Sequence, residues 1–224
     1  MPETPKEKRE IEKDKQDELE KASWSADQKE RGYYYDDAHG YEIYVPENED
    51  KTQKIWTIGH STRDLADFLE LLAINRIEAL ADVRSYPGSR RYPHFGAQVL
   101  AVSLDECGIE YVPFKQLGGR RRSRPDSPNT VWRNEAFRGY ADYMETIEFR
   151  DGIDDLLELA QKKRTAIMCA EAVWWRCHRS MISDYLKASG VTVEHIMDGE
   201  KDVIHPYTSA ARIKNGKLVY GAAE

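Results

Sequence analysis

Residues 55–72 read IWTIGHSTRDLADFLELL. The apolar run at 55–58, closed by Gly59, has the length and bounds of a buried strand. Ser61 stands three residues before Asp64, a helix-start signal, and Leu65, Phe68, Leu69 and Leu72 then recur at helical spacing. The same strand-to-helix exchange repeats downstream. Residues 78–83 predict a second strand, and residues 94–106 a helix with Phe95, Val99 and Val102 on one face. A third strand is expected at 109–112, then a helix at 136–149 carrying Phe137, Tyr140, Ala141 and Met144, extended by 153–160. A fourth strand at 165–169, a helix at 176–189 with Met181, Ile182, Tyr185 and Leu186, and a fifth strand at 191–196 complete the series. Parallel neighbours need long crossover connections, so this alternation predicts an α/β fold: a mainly parallel sheet with helices on both faces. Asn215-Gly216, set between 212–214 and 217–220, adds a C-terminal hairpin.

Upstream, the chain changes character. Residues 1–31 are rich in charge of both signs, and Ile11, Leu19 and Trp24 are too few to bury a core. They are expected to be a disordered or loosely helical extension. Tyr33-Tyr34-Tyr35, then Asp37-Ala38-His39-Gly40, then Tyr41, Ile43 and Val45 alternating with polar partners, predict a small hairpin. The organisation read from the sequence is a charged, partly disordered extension with a Tyr-rich hairpin at 1–53, and an α/β domain at 54–221. Residues 1–50 hold 8 Lys/Arg against 16 Asp/Glu, leaving 25 against 24 for the rest of a chain totalling 33 and 40. The formal charge of -7 therefore belongs to the extension, and the body is nearly neutral. A low overall pI does not argue against an anionic ligand, because the field at a site depends on local clusters.

Hydrophobic residues make up 40% of the chain, and no apolar run approaches the roughly 18 residues that span a bilayer. The charged start is unlike a secretory signal. Three scattered cysteines, Cys107, Cys169 and Cys177, do not make a disulfide framework. A reducing cytoplasm, with no membrane partner, is the expected setting.

In an open parallel sheet, ligands bind beyond the carboxyl ends of the strands. Gly59, His60, Ser61 and Arg63 follow the first strand; Asp82, Arg84, Ser85, Arg90 and Arg91 end or follow the second. A long loop with Lys115, Gly118, Gly119, Arg120, Arg121, Arg122 and Arg124 follows the third. Cys169, Glu171, Arg176, Cys177, His178 and Arg179 follow the fourth, and Asp198 and His205 the fifth. Arginine presents a bidentate fork to phosphate or carboxylate and keeps its charge. The paired glycines let backbone N–H groups approach an anion, although charge runs are commonly only solvated surface. Pro125, Ser127 and Pro128 make the far half of this loop a candidate lid.

His60 suits either general acid–base work or a purely local hydrogen bond. Ser61 or Thr62 is a candidate helix cap. Cys177 is expected to open a helix, where the dipole, Arg176 and Arg179 lower a thiol pKa. The alternative for both Cys169 and Cys177 is a small buried apolar group. As helical neighbours, Cys177 and His178 are expected to diverge by about 100° and not to form a dyad. The Cys-x₇-Cys-His spacing is not that of a common zinc motif, so no metal is expected. Trp174 and Trp175 either stack on a base or cap the core.

Taken in order, Gly59-His60-Ser61, Asp82-Val83-Arg84-Ser85-Tyr86-Pro87, Leu117-Gly118-Gly119-Arg120, Phe137-Arg138-Gly139-Tyr140, Cys169-Ala170-Glu171 and Cys177-His178-Arg179 resemble the domain-of-unknown-function family 488. His205-Pro206-Tyr207 and the 212–220 hairpin fit as well, so the resemblance covers about residues 54–221. It implies an α/β domain and carries no settled activity.

The leading expectation is an enzyme acting on a phosphate-bearing substrate, a nucleotide or nucleic acid, by hydrolysis or transfer. Arg84, Arg90, Arg91, Arg120, Arg121 and Arg179 would grip the anion. Ser61, Gly118, Gly119, Arg138, Cys169 and His178 complete the substrate-binding set. Glu171, His60, Cys177 and Asp82 are the catalytic candidates. The cofactor is left unknown. Hydride transfer is disfavoured because no Gly-x-Gly-x-x-Gly follows the first strand. Two alternatives remain: a non-catalytic nucleic-acid-binding or interaction module, and a thiol-based redox sensor using Cys169 and Cys177.

Overall fold

The strand at Lys54–Gly59 sits near the middle of the sheet, and five further strands assemble around it. The computed structural model describes residues 53–88, 91–197, 202–214 and 216–220, together with the backbone of strand residues 33–34 and 42–43. The chain divides into two units, Met1–Lys51 and Thr52–Glu224. In the first, β1 (Tyr33–Tyr34) pairs antiparallel with β2 (Glu42–Ile43). The expectation of a disordered or loosely helical stretch at 1–31 lies outside the described residues.

The second unit carries β3 (Lys54–Gly59), α1 (Leu65–Ile74), β4 (Ala79–Asp82), α2 (Ala97–Asp105), β5 (Glu110–Pro113), α3 (Glu135–Tyr143), α4 (Ile147–Lys162), β6 (Thr165–Cys169), α5 (Arg179–Ala188), β7 (Thr192–His195) and β8 (Val203–Ile204). Strands β9 (Arg212–Lys214) and β10 (Lys217–Val219) form a separate antiparallel pair with Gly216 at φ 73° between them. The sheet runs β5-β4-β6-β3-β7-β8. Its first five strands are parallel, and β8 is an antiparallel edge.

Alternate residues of the central strands feed two cores. Ile55, Ala81, Ile167 and Val193 pack with Tyr140, Phe149, Ile153, Met181 and Leu186 of α3, α4 and α5. Trp56, Ile58, Leu80, Ala166 and Met168 pack with Phe68, Leu72, Leu100 and Leu104 of α1 and α2. Period-two strands sandwiched between helical stripes account for this division. Each fully buried Leu or Phe contributes about 2 kcal/mol of hydrophobic stabilisation.

This arrangement positions a crevice. β6 lies between β4 and β3, whose following helices pack on one face, whereas α5 after β6 packs on the other. Chains leaving adjacent strands in opposite directions open a cleft at their carboxyl ends. Among the described residues, no helix is long and apolar enough to cross a membrane.

Several local expectations are corrected. α2 turns Leu100 and Leu104 inward and leaves Val99 and Val102 exposed; Phe95 is buried from the short 3₁₀ turn at Pro93–Phe95. The helix expected at 136–149 is two helices, because Thr146 caps a new one by accepting from the Phe149 N–H. The helix expected at 176–189 starts at Arg179, after a 3₁₀ turn at Trp174–Arg176. Asp64, not Ser61 or Thr62, is the N-cap residue of α1.

Candidate functional site

The chain leaving β3 is stitched to the chain leaving β6. His60 and Ser61 donate their backbone N–H groups to the carbonyls of Cys169 and Ala170, at 3.0 and 2.8 Å. To hold this register Ser61 adopts φ 47°, a left-handed conformation uncommon for a residue with a Cβ. On the other flank, Val83 N–H donates to Met168 O at 3.0 Å. These bonds fix the floor of a cavity of about 460 Å³. Its lining comes from the ends of three strands and from α3: Arg84, Ser85, Tyr86, Gly119, Arg120, Asn134, Ala136, Phe137, Tyr140, Cys169, Ala170, Glu171, Arg176, Cys177 and His178.

The arginines divide into two kinds. Arg84 is buried and engaged on every nitrogen: its Nε and one terminal nitrogen donate to Asp82, and the other donates to Phe95 O at 2.9 Å and to His60 Nε2 at 3.2 Å. Tyr111 also donates to Asp82, at 2.6 Å. Arg179, only 1% exposed, donates to the carbonyl oxygens of Glu171 and Ala172 and to Thr57 Oγ1. Arg121 donates to the Gly118 and Gln116 carbonyls and lies 3.7 Å over the Tyr143 ring. Arg138 donates to Trp132 O. By contrast, Arg120 and Arg176 are exposed on the cavity wall. Among the described residues neither guanidinium group makes a hydrogen bond or ion pair, although Arg120 lies 5.6 Å over the Tyr86 ring. Glu171 is exposed in the same cavity.

His60 and Asp82 do not line the cavity. The His60 ring is buried and stacked on Phe95 with centroids 4.2 Å apart. Burial, with the charge of Arg84, lowers its pKa to about 4. The neutral ring accepts from Arg84 at Nε2 and donates from Nδ1 to Ser61 O at 3.1 Å. Ser61, Gly118, Arg91, Arg121, Arg138 and Arg179 likewise fall outside the lining, and Arg90 lies outside the described residues. The cavity thus brings together Arg84, Gly119, Arg120, Cys169, Glu171, Cys177 and His178 of the expected set.

The floor differs most from expectation. Cys177 is not helical; at φ -125° and ψ 149° it is extended, and α5 begins two residues later. The argument that neighbouring helical side chains diverge therefore fails. His178 Nδ1 lies 3.6 Å from Cys177 Sγ and 4.0 Å from Cys169 Sγ. His178 Nε2 lies 3.1 Å from Val83 O. The hydrogen bond between the two thiols, with His178 and the charge of Arg179, pushes Cys177 well below the usual thiol range despite burial. The same bond, with burial, pushes Cys169 up.

The candidate lid is anchored. Buried Asp142 of α3 accepts from Arg124 N–H, Ser127 Oγ and Asn129 Nδ2 at 2.8, 2.5 and 2.8 Å, while Arg124 pairs with Glu145. Gly139 lets α3 pack directly on the backbone of residues 121–123, where a Cβ would come within 2.5 Å of Arg121 O.

Sequence reasoning missed Asn134, Phe137 and Tyr140 as cavity wall; it offered Tyr86 as a stacking face only for the nucleic-acid-binding alternative, and placed Arg176 at the strand-end edge without a ligand role. Ser85-Tyr86 directly follows Arg84 beyond β4, so the strand-end rule reaches Tyr86; it does not reach the residues of α3.

Neither a curated protein nor a solved structure matches this chain. A family model described as "Domain of unknown function DUF488" matches residues 64–186, which include every cavity-lining residue and more than half of the chain. The chain therefore belongs to the DUF488 family.

Proposed function

We propose that the cavity binds a phosphate-bearing substrate, a nucleotide or nucleic acid, and that the protein is an enzyme catalysing hydrolysis or transfer there. One contrast carries this reading. Four arginines around the crevice are committed to protein carbonyls, carboxylates or rings, whereas Arg120 and Arg176 reach the cavity wall with no ion-pair partner among the described residues. Two uncommitted guanidinium groups at a strand-end crevice suit an anion. Tyr86, 72% exposed beneath Arg120, offers a face for a nucleobase. Glu171 is the proton-transfer candidate on the same wall, above the thiol–imidazole floor.

The test is binding of nucleoside mono- and triphosphates and of short single-stranded RNA and DNA, measured calorimetrically and across a salt series. Arg120→Ala combined with Arg176→Ala should weaken the best ligand by more than about tenfold, since each charge-assisted contact is worth about 1.5–3 kcal/mol. Glu171→Gln should keep that affinity and lose turnover. Unchanged binding in the double variant overturns the reading. Steeply salt-dependent binding of many sequences without turnover points instead to a nucleic-acid-binding module.

A further inference from the structure

The floor of the cavity holds more than packing requires. Among the described residues, one group of three potential metal ligands converges: Cys169 Sγ, Cys177 Sγ and one His178 ring nitrogen, all within 4.8 Å of one another. Neither cysteine is in a disulfide. A tetrahedral zinc site, with Zn–S near 2.3 Å and Zn–N near 2.0–2.1 Å, requires its ligands to stand about 3.5–3.8 Å apart. The two sulfur-to-Nδ1 separations of 3.6 and 4.0 Å are within a small adjustment of that spacing.

The histidine is also prepared for the task. Val83 O can only accept, so the 3.1 Å contact requires the proton on Nε2. In the neutral ring, Nδ1 then presents its lone pair to the two sulfurs. Anchoring the distal nitrogen on a backbone carbonyl is how metal-bound imidazoles are oriented. Gly119 leaves room for the ring, since a Cβ there would stand 2.6 Å from Nδ1. The Tyr140 ring packs against the imidazole at 5.1 Å. A histidine serving only as packing needs neither a fixed tautomer nor a bare lone pair between two thiols.

We propose that Cys169, Cys177 and His178 form a three-ligand site for a thiophilic divalent cation of the zinc class, with its fourth position open to the cavity. Two thiolates and an imidazole match the ligand softness of zinc rather than magnesium or calcium. Three protein ligands and one vacant position are the form of a reactive site, and closed structural sites use four. The sequence spacing concealed this because two ligands are consecutive residues at a strand-to-helix link and the third ends a strand. The proposal deepens the functional reading of the cavity: the cation would face the space between Arg120, Arg176 and Glu171, where a phosphate oxygen or water completes its shell.

The experiment titrates the full-length, reduced, metal-stripped protein with cobalt(II) as a spectroscopic probe. One cobalt per chain should bind, with a near-ultraviolet sulfur-to-metal charge-transfer band and intense visible bands of tetrahedral cobalt, and zinc should displace it. Cys169→Ser and Cys177→Ser should each weaken the charge-transfer band. His178→Ala should lower affinity by at least about tenfold. Cys107→Ser, at an exposed thiol, should leave the spectrum unchanged. Circular dichroism checks that each variant is folded; if a cysteine variant is not, His178→Ala and Gly119→Ala decide the matter.

Absence of the band at stoichiometric cobalt, or its survival in the folded His178→Ala protein, overturns the proposal. So does rapid closure of a Cys169–Cys177 disulfide in place of metal uptake, which would favour the redox-sensor alternative. If cobalt does not bind but the Arg120/Arg176 double variant still loses its phosphate ligand, only the metal inference fails. If cobalt binds and that double variant behaves as wild type, the substrate reading fails instead.

Discussion

At the scale of single residues, Gly59 shows how narrowly the site is built. A Cβ at this position would lie 1.7 Å from Glu171 O and 2.8 Å from an Arg179 nitrogen. The two chains cannot separate without breaking the bonds that join His60 and Ser61 to Cys169 and Ala170. Gly59→Ala should therefore destabilise the fold by about 3 kcal/mol or more, the range of severe overpacking, read from urea unfolding. A shift below about 1 kcal/mol would mean that the β6–α5 link yields easily. Residue identity alone pointed to the strand-end edge where the cavity lies and to Arg120, Glu171, Cys177 and His178, which line it. It could not separate free arginines from committed ones, because that depends on carbonyls contributed by distant segments: Arg179 is held by Glu171 and Ala172, and Arg138 by Trp132. Nor could it foresee that an extended Cys177 would turn its sulfur toward its neighbour's imidazole.

At the scale of elements, strand–helix alternation carried most of the fold, because a parallel sheet imposes both the crossovers and the two-sided burial. Short connectors were less legible. Thr146 splits one long amphipathic stretch into α3 and α4, and α2 is rotated so that leucines rather than valines face inward. The edge strand β8 was not expected, yet it delivers His205 to a buried chain of hydrogen bonds running from α5 to β3. Asp184 accepts from His205 Nε2 at 3.0 Å; His195 Nε2 donates to His205 Nδ1 at 2.9 Å; Thr57 donates to His195 Nδ1 at 2.7 Å; and Arg179 donates to Thr57 at 3.3 Å. With both imidazoles neutral and in these tautomers, every member of the chain has a partner. Trp174 covers His195 in a parallel stack at 4.3 Å. Tyr220 and Thr208 add donors to Asp184, and Lys187 donates to His205 O. Burial, then the charges of His205 and Arg179, lower the His195 pKa to about 2. Burial lowers that of His205, against the opposing pull of Asp184. Both values lie below the ordinary 6.5, so between them the unfolded chain binds protons that the folded protein refuses. Stability from these groups is complete above about pH 6.5 and is lost as pH falls, by up to ~1.4 kcal/mol per pH unit for each histidine. Urea midpoints between pH 7 and pH 5 should follow that slope, and His195→Gln should flatten it by one proton's worth. An unchanged slope in the variant would show that His195 takes up its proton in the folded protein.

At the scale of the whole molecule, charge is partitioned between units of different character. Residues 1–50 carry 16 acidic and 8 basic side chains, while the remainder is close to balanced. The DUF488 match and, among the described residues, the cavity lining belong to the second unit. Two roles for the acidic segment lead to opposite outcomes. As a mimic of the anionic ligand it would compete for Arg120 and Arg176, so removing it would tighten binding. As a solubilising extension it would act only through its diffuse field, which is largely screened beyond about 8 Å at physiological salt. The second role is the one expected, because a mixed-charge segment with few apolar residues is ordinarily only solvated. Deleting residues 1–51 should therefore leave the unfolding free energy within about 0.5 kcal/mol, the ordinary range for changes away from a core. Affinity for the best nucleotide at 0.15 M salt, the physiological ionic strength, should stay within about twofold, and at low salt it should rise modestly as self-repulsion is removed. A tightening of about tenfold or more at physiological salt, abolished by Arg120→Ala with Arg176→Ala, would instead establish that the segment occupies the cavity, and the extension would then be part of the site's regulation.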